Sequence, residues 1–143
     1  MNKISVIGAG TMGAGIAQIA ATKGHNVCLY DAFDGAIENS KKKLNKILDR
    51  LIEKEKISKD DKKNILSRIH FTKEITEIKG SQLVIEAIIE NLKVKKKIFK
   101  EIEKIVAEDC IIASNTSSLS IASIAGACQK AERVVGIHFF NPA

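Results

Sequence analysis

The chain of 143 residues holds one proline, no tryptophan and one tyrosine, and its aromatics amount to 4%. So few rings cannot supply the stacking platforms that grip unpaired bases, which disfavours a nucleic-acid partner. No stretch approaches the roughly 18–20 uninterrupted apolar residues of a membrane span, and no membrane partner is expected. The amino terminus lacks an apolar core followed by a small-residue cleavage site, so a secretory signal is not expected. Cysteine is scarce and odd in number: Cys28, Cys110 and Cys128, with no C-x-x-C pair. Cys28 and Cys110 fall in or beside apolar runs, where a thiol behaves as a small hydrophobe. That usage favours the cytoplasm and gives no metal site. The only proline, Pro142, stands beside the C-terminus, a first sign that the chain is part of a longer one.

What is present is apolar residue, at 45%, and charge, at 28% with a net +6. The length and apolar content suit one globular domain with a real core. The excess charge is local. Residues 41–79 hold 13 Lys/Arg against 7 Asp/Glu, and the remainder is balanced. A basic region of this kind attracts polyanions, and it also reads as a solvated helical face.

Apolar runs alternate with helical patterns. Strands are expected over 4–7, 26–31, 69–72, 82–87, 110–113 and 133–138. Helices are expected over 11–23, about 35–56 with Asp34 as N-cap, from Ser58 onward, over 92–107 and over 120–125. In the helix over 92–107, Ile98, Phe99, Ile102, Ile105 and Val106 form one apolar side. Most strands are nearly continuous apolar runs, as parallel strands covered on both faces are. The pattern is a doubly wound α/β domain with a mostly parallel sheet of about six strands, spanning residues 1–143.

Gly8-Ala9-Gly10-Thr11-Met12-Gly13 matches G-x-G-x-x-G at the turn from the first strand into the first helix, and Asp31 ends the second strand. Alone the glycine pattern is weak; in this context it is the fingerprint of a Rossmann-type dinucleotide site. Gly8 permits the tight turn, Gly10 lets the backbone approach a pyrophosphate, and Gly13 lets helix and strand pack closely. The pyrophosphate then lies on the N–H groups that open the helix. Asp31 is expected to take the adenosine ribose hydroxyls. A 2′-phosphate would meet its carboxylate as a like charge, and Ala32 and Phe33 offer no arginine in its place. NAD(H) is therefore favoured over NADP(H).

Ligands in such a sheet lie beyond the carboxyl ends of the strands. Glu86 and Glu90 follow the fourth strand, Ser114-Asn115-Thr116-Ser117-Ser118 the fifth, and His138-Phe139-Phe140-Asn141-Pro142 the sixth. A Ser/Thr/Asn run after a strand also reads as a turn with a helix cap, and a histidine at a strand end is often structural. His25 and His70 lack this placement and read as structural or exposed. Lys95 reads simply as one cation on an exposed helix face.

These motifs, with Glu86-Ala87-Ile88-Ile89-Glu90-Asn91 and Leu119 after Ser118, resemble the L-3-hydroxyacyl-CoA dehydrogenase family along essentially the whole chain. The nearest likeness within it is to the bacterial short-chain members acting on 3-hydroxybutyryl-CoA. The resemblance implies hydride transfer between NAD(H) and a 3-hydroxyacyl-CoA or 3-oxoacyl-CoA, in fatty-acid or butyrate metabolism. It implies His138 as general base and Ser117 as hydrogen-bond partner of the substrate's 3-oxygen. It places Glu90, Lys95, Asn115 and Asn141 along the nicotinamide half of the cofactor. In the family a helical domain follows, makes the dimer and closes the site, and the histidine's glutamate partner comes shortly after His138. The chain therefore reads as the cofactor domain of a longer homo-oligomeric enzyme, able to bind cofactor but nearly inactive alone.

Lys43, Lys46, Arg50 and Lys54 fall at helical spacing. The family uses this region for coenzyme A, whose phosphates suit a cationic stripe; a solvated face remains the alternative. Two other readings stand beside the main one: another NAD-dependent hydroxyacid or sugar-nucleotide dehydrogenase, and a non-enzymatic dinucleotide-binding module. Retention of both Ser117 and His138 weighs against the second.

Overall fold

The protein is described over residues 3–139 of a computed structural model. Its strands are β1 (Lys3–Ile7), β2 (Asn26–Tyr30), β3 (Ile69–Thr72), β4 (Leu83–Glu86), β5 (Ile111–Ser114) and β6 (Val134–Gly136). They form one six-stranded sheet in the order β3-β2-β1-β4-β5-β6, and every pair is parallel. The helices are α1 (Thr11–Thr22), α2 (Ala36–Glu53), α3 (Lys59–Ser67), α4 (Leu92–Ile105) and α5 (Ile121–Ala125).

Both faces of the sheet are dry because successive strand residues point to opposite sides. Ile4, Val6, Val27 and Leu29 pack with Ile16, Ala17, Leu44, Leu48 and Ile65 of α1, α2 and α3. Ile7, Cys28, Val84 and Ile112 pack with Phe99, Ile102 and Ile124 of α4 and α5. Cys28 and Cys110 are buried and Cys128 is partly so, and desolvation raises all three thiols above their ordinary pKa. Among the described residues, no helix is long and apolar enough to cross a membrane.

Two helix ends differ from expectation. Asp34 does not cap α2. Gly35 holds that position with φ 81° and no side-chain cap bond, while the Asp34 carboxylate takes the ammonium of Lys73 from the neighbouring strand's exit. At its other end α2 stops at Glu53. There Glu55 N–H reaches the Ile52 carbonyl and Lys56 N–H the Leu51 carbonyl, a Schellman closure with Glu55 at φ 58°. Ser58 does start α3, and its hydroxyl and the Asp61 carboxylate each accept the other residue's backbone N–H, a full capping box.

Candidate active site: two clefts at the switch point

The chain winds to one side through β1, β2 and β3 and to the other through β4, β5 and β6. The crevice between β1 and β4 is therefore where ligands gather. Gly8 turns the chain there with φ 106°, and a Cβ on it would stand 2.7 Å from the Ala87 carbonyl oxygen. A Cβ on Gly13 would lie 1.7 Å from the Gly8 carbonyl oxygen, so the first turn of α1 sits directly on the strand's exit. Gly10 differs: a Cβ there would meet nothing within 4 Å. No neighbour in the protein requires that glycine, so the open space beside it suits a ligand. The amino end of α1 has no side-chain cap bond and no acidic residue in its first turn, which leaves its positive end available to a pyrophosphate.

Asp31 follows β2. Its Oδ2 accepts the Ala9 N–H at 2.9 Å and its Oδ1 the Phe33 N–H at 3.0 Å. Each oxygen keeps lone-pair capacity for a hydroxyl. Gly8, Gly10, Tyr30, Asp31, Phe33 and Ile89 are among the residues lining a cleft of about 550 Å³, and Phe33 and Ile89 are strongly exposed at 77% and 66%. A mostly apolar cleft that includes a carboxylate with spare acceptor capacity suits an adenosine.

Ala87 and Ile88 form a wall shared with a second cleft, of about 320 Å³. That cleft brings together Met12, Glu90, Lys95, Asn115, Ser117 and His138, which come from four separate strand exits. Thr11 lies outside both linings but accepts the Lys43 ammonium at 2.9 Å. Asn141 lies outside the described residues.

Within the second cleft Glu90 organises the loop that carries Ser117. It accepts the hydroxyls of Thr116 and Ser118, each at 2.7 Å, and the Lys95 ammonium at 3.2 Å. Burial acts to raise its pKa, but the bonds from Ser118, Thr116 and Lys95 outweigh it and hold the carboxyl at about 2. Asn115 accepts the Phe139 N–H at 2.9 Å through Oδ1, which fixes the backbone next to His138. Ser117 and His138 are both exposed at the cleft.

Lys95 corrects the reading of an exposed cation: it is 1% exposed. It sits four residues before Phe99 and seven before Ile102, both buried on α4, and that spacing is the signal that puts it inside. Its ammonium donates to Glu86, to Glu90 and, at 3.3 Å, to the Ile88 carbonyl. The partner Glu86, with Ser114 beside it, forms a buried centre; both stand among the strand-end polar groups of the sequence, but their pairing with Lys95 was not foreseen. An ionisable residue closing an otherwise apolar strand was the available clue.

The basic stripe lies exposed along α2 and its C-cap. Lys43 and Lys46 line a hollow of about 480 Å³ on α2 with Asn39, Lys42 and Asn45. Arg50 stays exposed further along the helix, and Lys54 is its C-cap.

A profile of the 3-hydroxyacyl-CoA dehydrogenase NAD-binding domain matches residues 3–143. The chain belongs to this family. It is 44% identical over 140 residues to 3-hydroxybutyryl-CoA dehydrogenase of Clostridioides difficile, covering 98% of this chain and 50% of that protein. It is also 44% identical to mitochondrial hydroxyacyl-coenzyme A dehydrogenase of Sus scrofa, covering 97% and 46%. Among solved structures, (S)-3-hydroxybutyryl-CoA dehydrogenase from Ralstonia eutropha superposes with a TM-score of 0.95 at 46% identity, covering 98% of this chain and 50% of that one. The chain thus spans about half the length of the curated relatives it matches. As the family's NAD-binding domain it takes NAD as cofactor, and the open Gly10 turn and Asp31 fit that group.

Proposed function

We propose that this chain is the cofactor half of an NAD-dependent 3-hydroxyacyl-CoA dehydrogenase acting on short acyl chains, acetoacetyl-CoA and 3-hydroxybutyryl-CoA. The observation that carries the reading is the second cleft, where Ser117 and His138 stand beside Glu90, Lys95 and Asn115. With Asp31 holding the adenosine ribose and the α1 amino end the pyrophosphate, Glu90, Lys95 and Asn115 would hold the nicotinamide end in that cleft. When bound, the nicotinamide supplies the site that accepts or returns a hydride at substrate C3. His138 takes the proton from the 3-hydroxyl in oxidation and returns it to the 3-oxygen in reduction. An imidazole suits this because its ordinary pKa lies near neutral pH. The Ser117 hydroxyl donates to the same oxygen and orients it. Names of the relatives and the motif set support an acyl-CoA substrate, and the thiol usage supports the cytoplasm. By the same reading the full-length enzyme is a homo-oligomer. The chain alone binds cofactor but turns over poorly, because Ser117 and His138 stand open to water.

The test is His138→Gln in the full-length enzyme. Turnover of acetoacetyl-CoA is expected to fall by about 10²–10⁴-fold, the usual worth of acid–base transfer, with NADH affinity unchanged. Near-normal turnover would place the base elsewhere.

A further inference from the structure

Glu86 closes β4 and is fully buried. It is in register with Ser114, the last residue of β5, so adjacent strand ends present the two side chains together. Oε1 accepts the Ser114 hydroxyl at 2.5 Å. Oε2 accepts the Lys95 ammonium and the Ile88 N–H, the latter at 2.7 Å.

Each of these three partners continues into the second cleft. Ser114 Oγ accepts the Thr116 N–H at 3.2 Å, at the root of the loop carrying Ser117. Lys95 goes on to Glu90, which holds Thr116 and Ser118. Ile88 is the wall between the clefts. A buried carboxylate that receives three donors, one of them cationic, is satisfied and rigid; a partly satisfied one is costly. The charge also sets where the ammonium rests. Lys95 lies between two carboxylates, and Glu86 keeps it from being drawn wholly to Glu90.

We propose that Glu86 is a positioning residue for the nicotinamide half of the site, holding Lys95, Glu90 and the 115–118 loop in place from beneath the cleft. The proposal rests on the reading that the nicotinamide end lies in the second cleft. Glutamine at this position keeps the shape but loses the charge and one acceptor. It reverses the Ser114 hydrogen bond and releases Lys95 toward Glu90. With its nitrogen toward Ser114, the glutamine oxygen still accepts the Ile88 N–H, so the wall is kept and adenosine and pyrophosphate on its other side are little affected.

The experiment titrates the chain and its Glu86→Gln variant with NADH and with ADP-ribose, which lacks only the nicotinamide. NADH affinity is expected to fall roughly tenfold, the order of one charge-assisted hydrogen bond, with ADP-ribose affinity within about twofold of wild type. Ser114→Ala removes one arm without touching the charge. It is expected to give a smaller loss of the same kind, and it carries the test if Glu86→Gln does not fold. Equal weakening of both ligands would reduce Glu86 to general support of the fold and overturn the proposal, as would no weakening of either. A wild-type chain that holds NADH no more tightly than ADP-ribose would instead remove the nicotinamide placement itself, and the proposal with it.

Discussion

Asp31 serves two purposes with one carboxylate. It ties down the glycine turn and its own following loop through the Ala9 and Phe33 N–H groups, and it keeps acceptor capacity for ribose hydroxyls. Asp31→Ala is expected to weaken NADH binding roughly tenfold, in line with hydrogen bonds to a charged group, and to leave NADPH no worse. Equal affinity of the unaltered chain for the two cofactors, in direct titration, would remove this role. Glu90 gives the site a pH dependence on the acid side. Its carboxyl is held at about 2 instead of the ordinary 4.5. A group depressed on folding stabilises the native state fully above its unfolded pKa and loses that contribution as pH falls toward its folded one. The stability difference between wild type and Glu90→Gln is therefore expected to be constant from neutrality to about pH 5 and to shrink between 4.5 and 2. Denaturant melts across that range check it, and a difference unchanged down to the bottom of the range would show that the Thr116, Ser118 and Lys95 bonds contribute no charge-dependent stability.

Among the elements, α2 is the one whose ends the pattern misjudged. Of its apolar line of Ile37, Leu44, Ile47, Leu48, Leu51 and Ile52, the structure buries Ile37, Leu44 and Leu48 and leaves Ile47 exposed, and periodicity says nothing about where the chain leaves a helix. The exit is a Schellman turn that places Glu55 in the left-handed region at φ 58°. A side chain there costs about 1 kcal/mol or more against glycine, partly offset by the extra freedom glycine has when unfolded. Glu55→Gly is expected to stabilise the protein by about 0.5–1 kcal/mol, read as a higher Tm. A lower Tm would mean that the Glu55 side chain makes a contribution larger than its strain. In α4, by contrast, the apolar stripe was visible, and its continuation to Lys95 was the overlooked part.

At the scale of the whole molecule, the excess charge lies mainly outside the two clefts. The excess of basic residues gathers on α2 and its surroundings, with Lys43 reaching Thr11 at the amino end of α1 and Arg50 and Lys54 exposed beyond it. Reversing Arg50 and Lys54 to Glu in the full-length enzyme is expected to raise KM for acetoacetyl-CoA several-fold, about 1 kcal/mol per pair of screened phosphate contacts. Turnover of a truncated thioester without the nucleotide should not change. Equal impairment of both substrates in steady-state assays would return the two residues to an ordinary solvated surface.

Much of this protein was legible in its sequence. β1, the glycine turn, α1 and Asp31 form one local signal within the first 31 residues, and alternation of apolar runs with helical stripes was enough for a parallel, doubly wound sheet. Local chemistry dictated these features: a turn that needs glycine, a strand that needs two dry faces. The strand order, the shared Ile88 wall and the meeting of Met12, Glu90, Asn115, Ser117 and His138 in one cleft depend on which strand ends lie side by side. The buried Glu86, Lys95 and Ser114 centre belongs to the same class. Its members are 9 to 28 residues apart. Lys95 alone looks like a surface cation and the other two like strand-end polar groups, and only the register of β4 with β5 and the inward face of α4 turn them into mutual partners. Burial of charge is a property of the assembled fold, decided by what stands opposite.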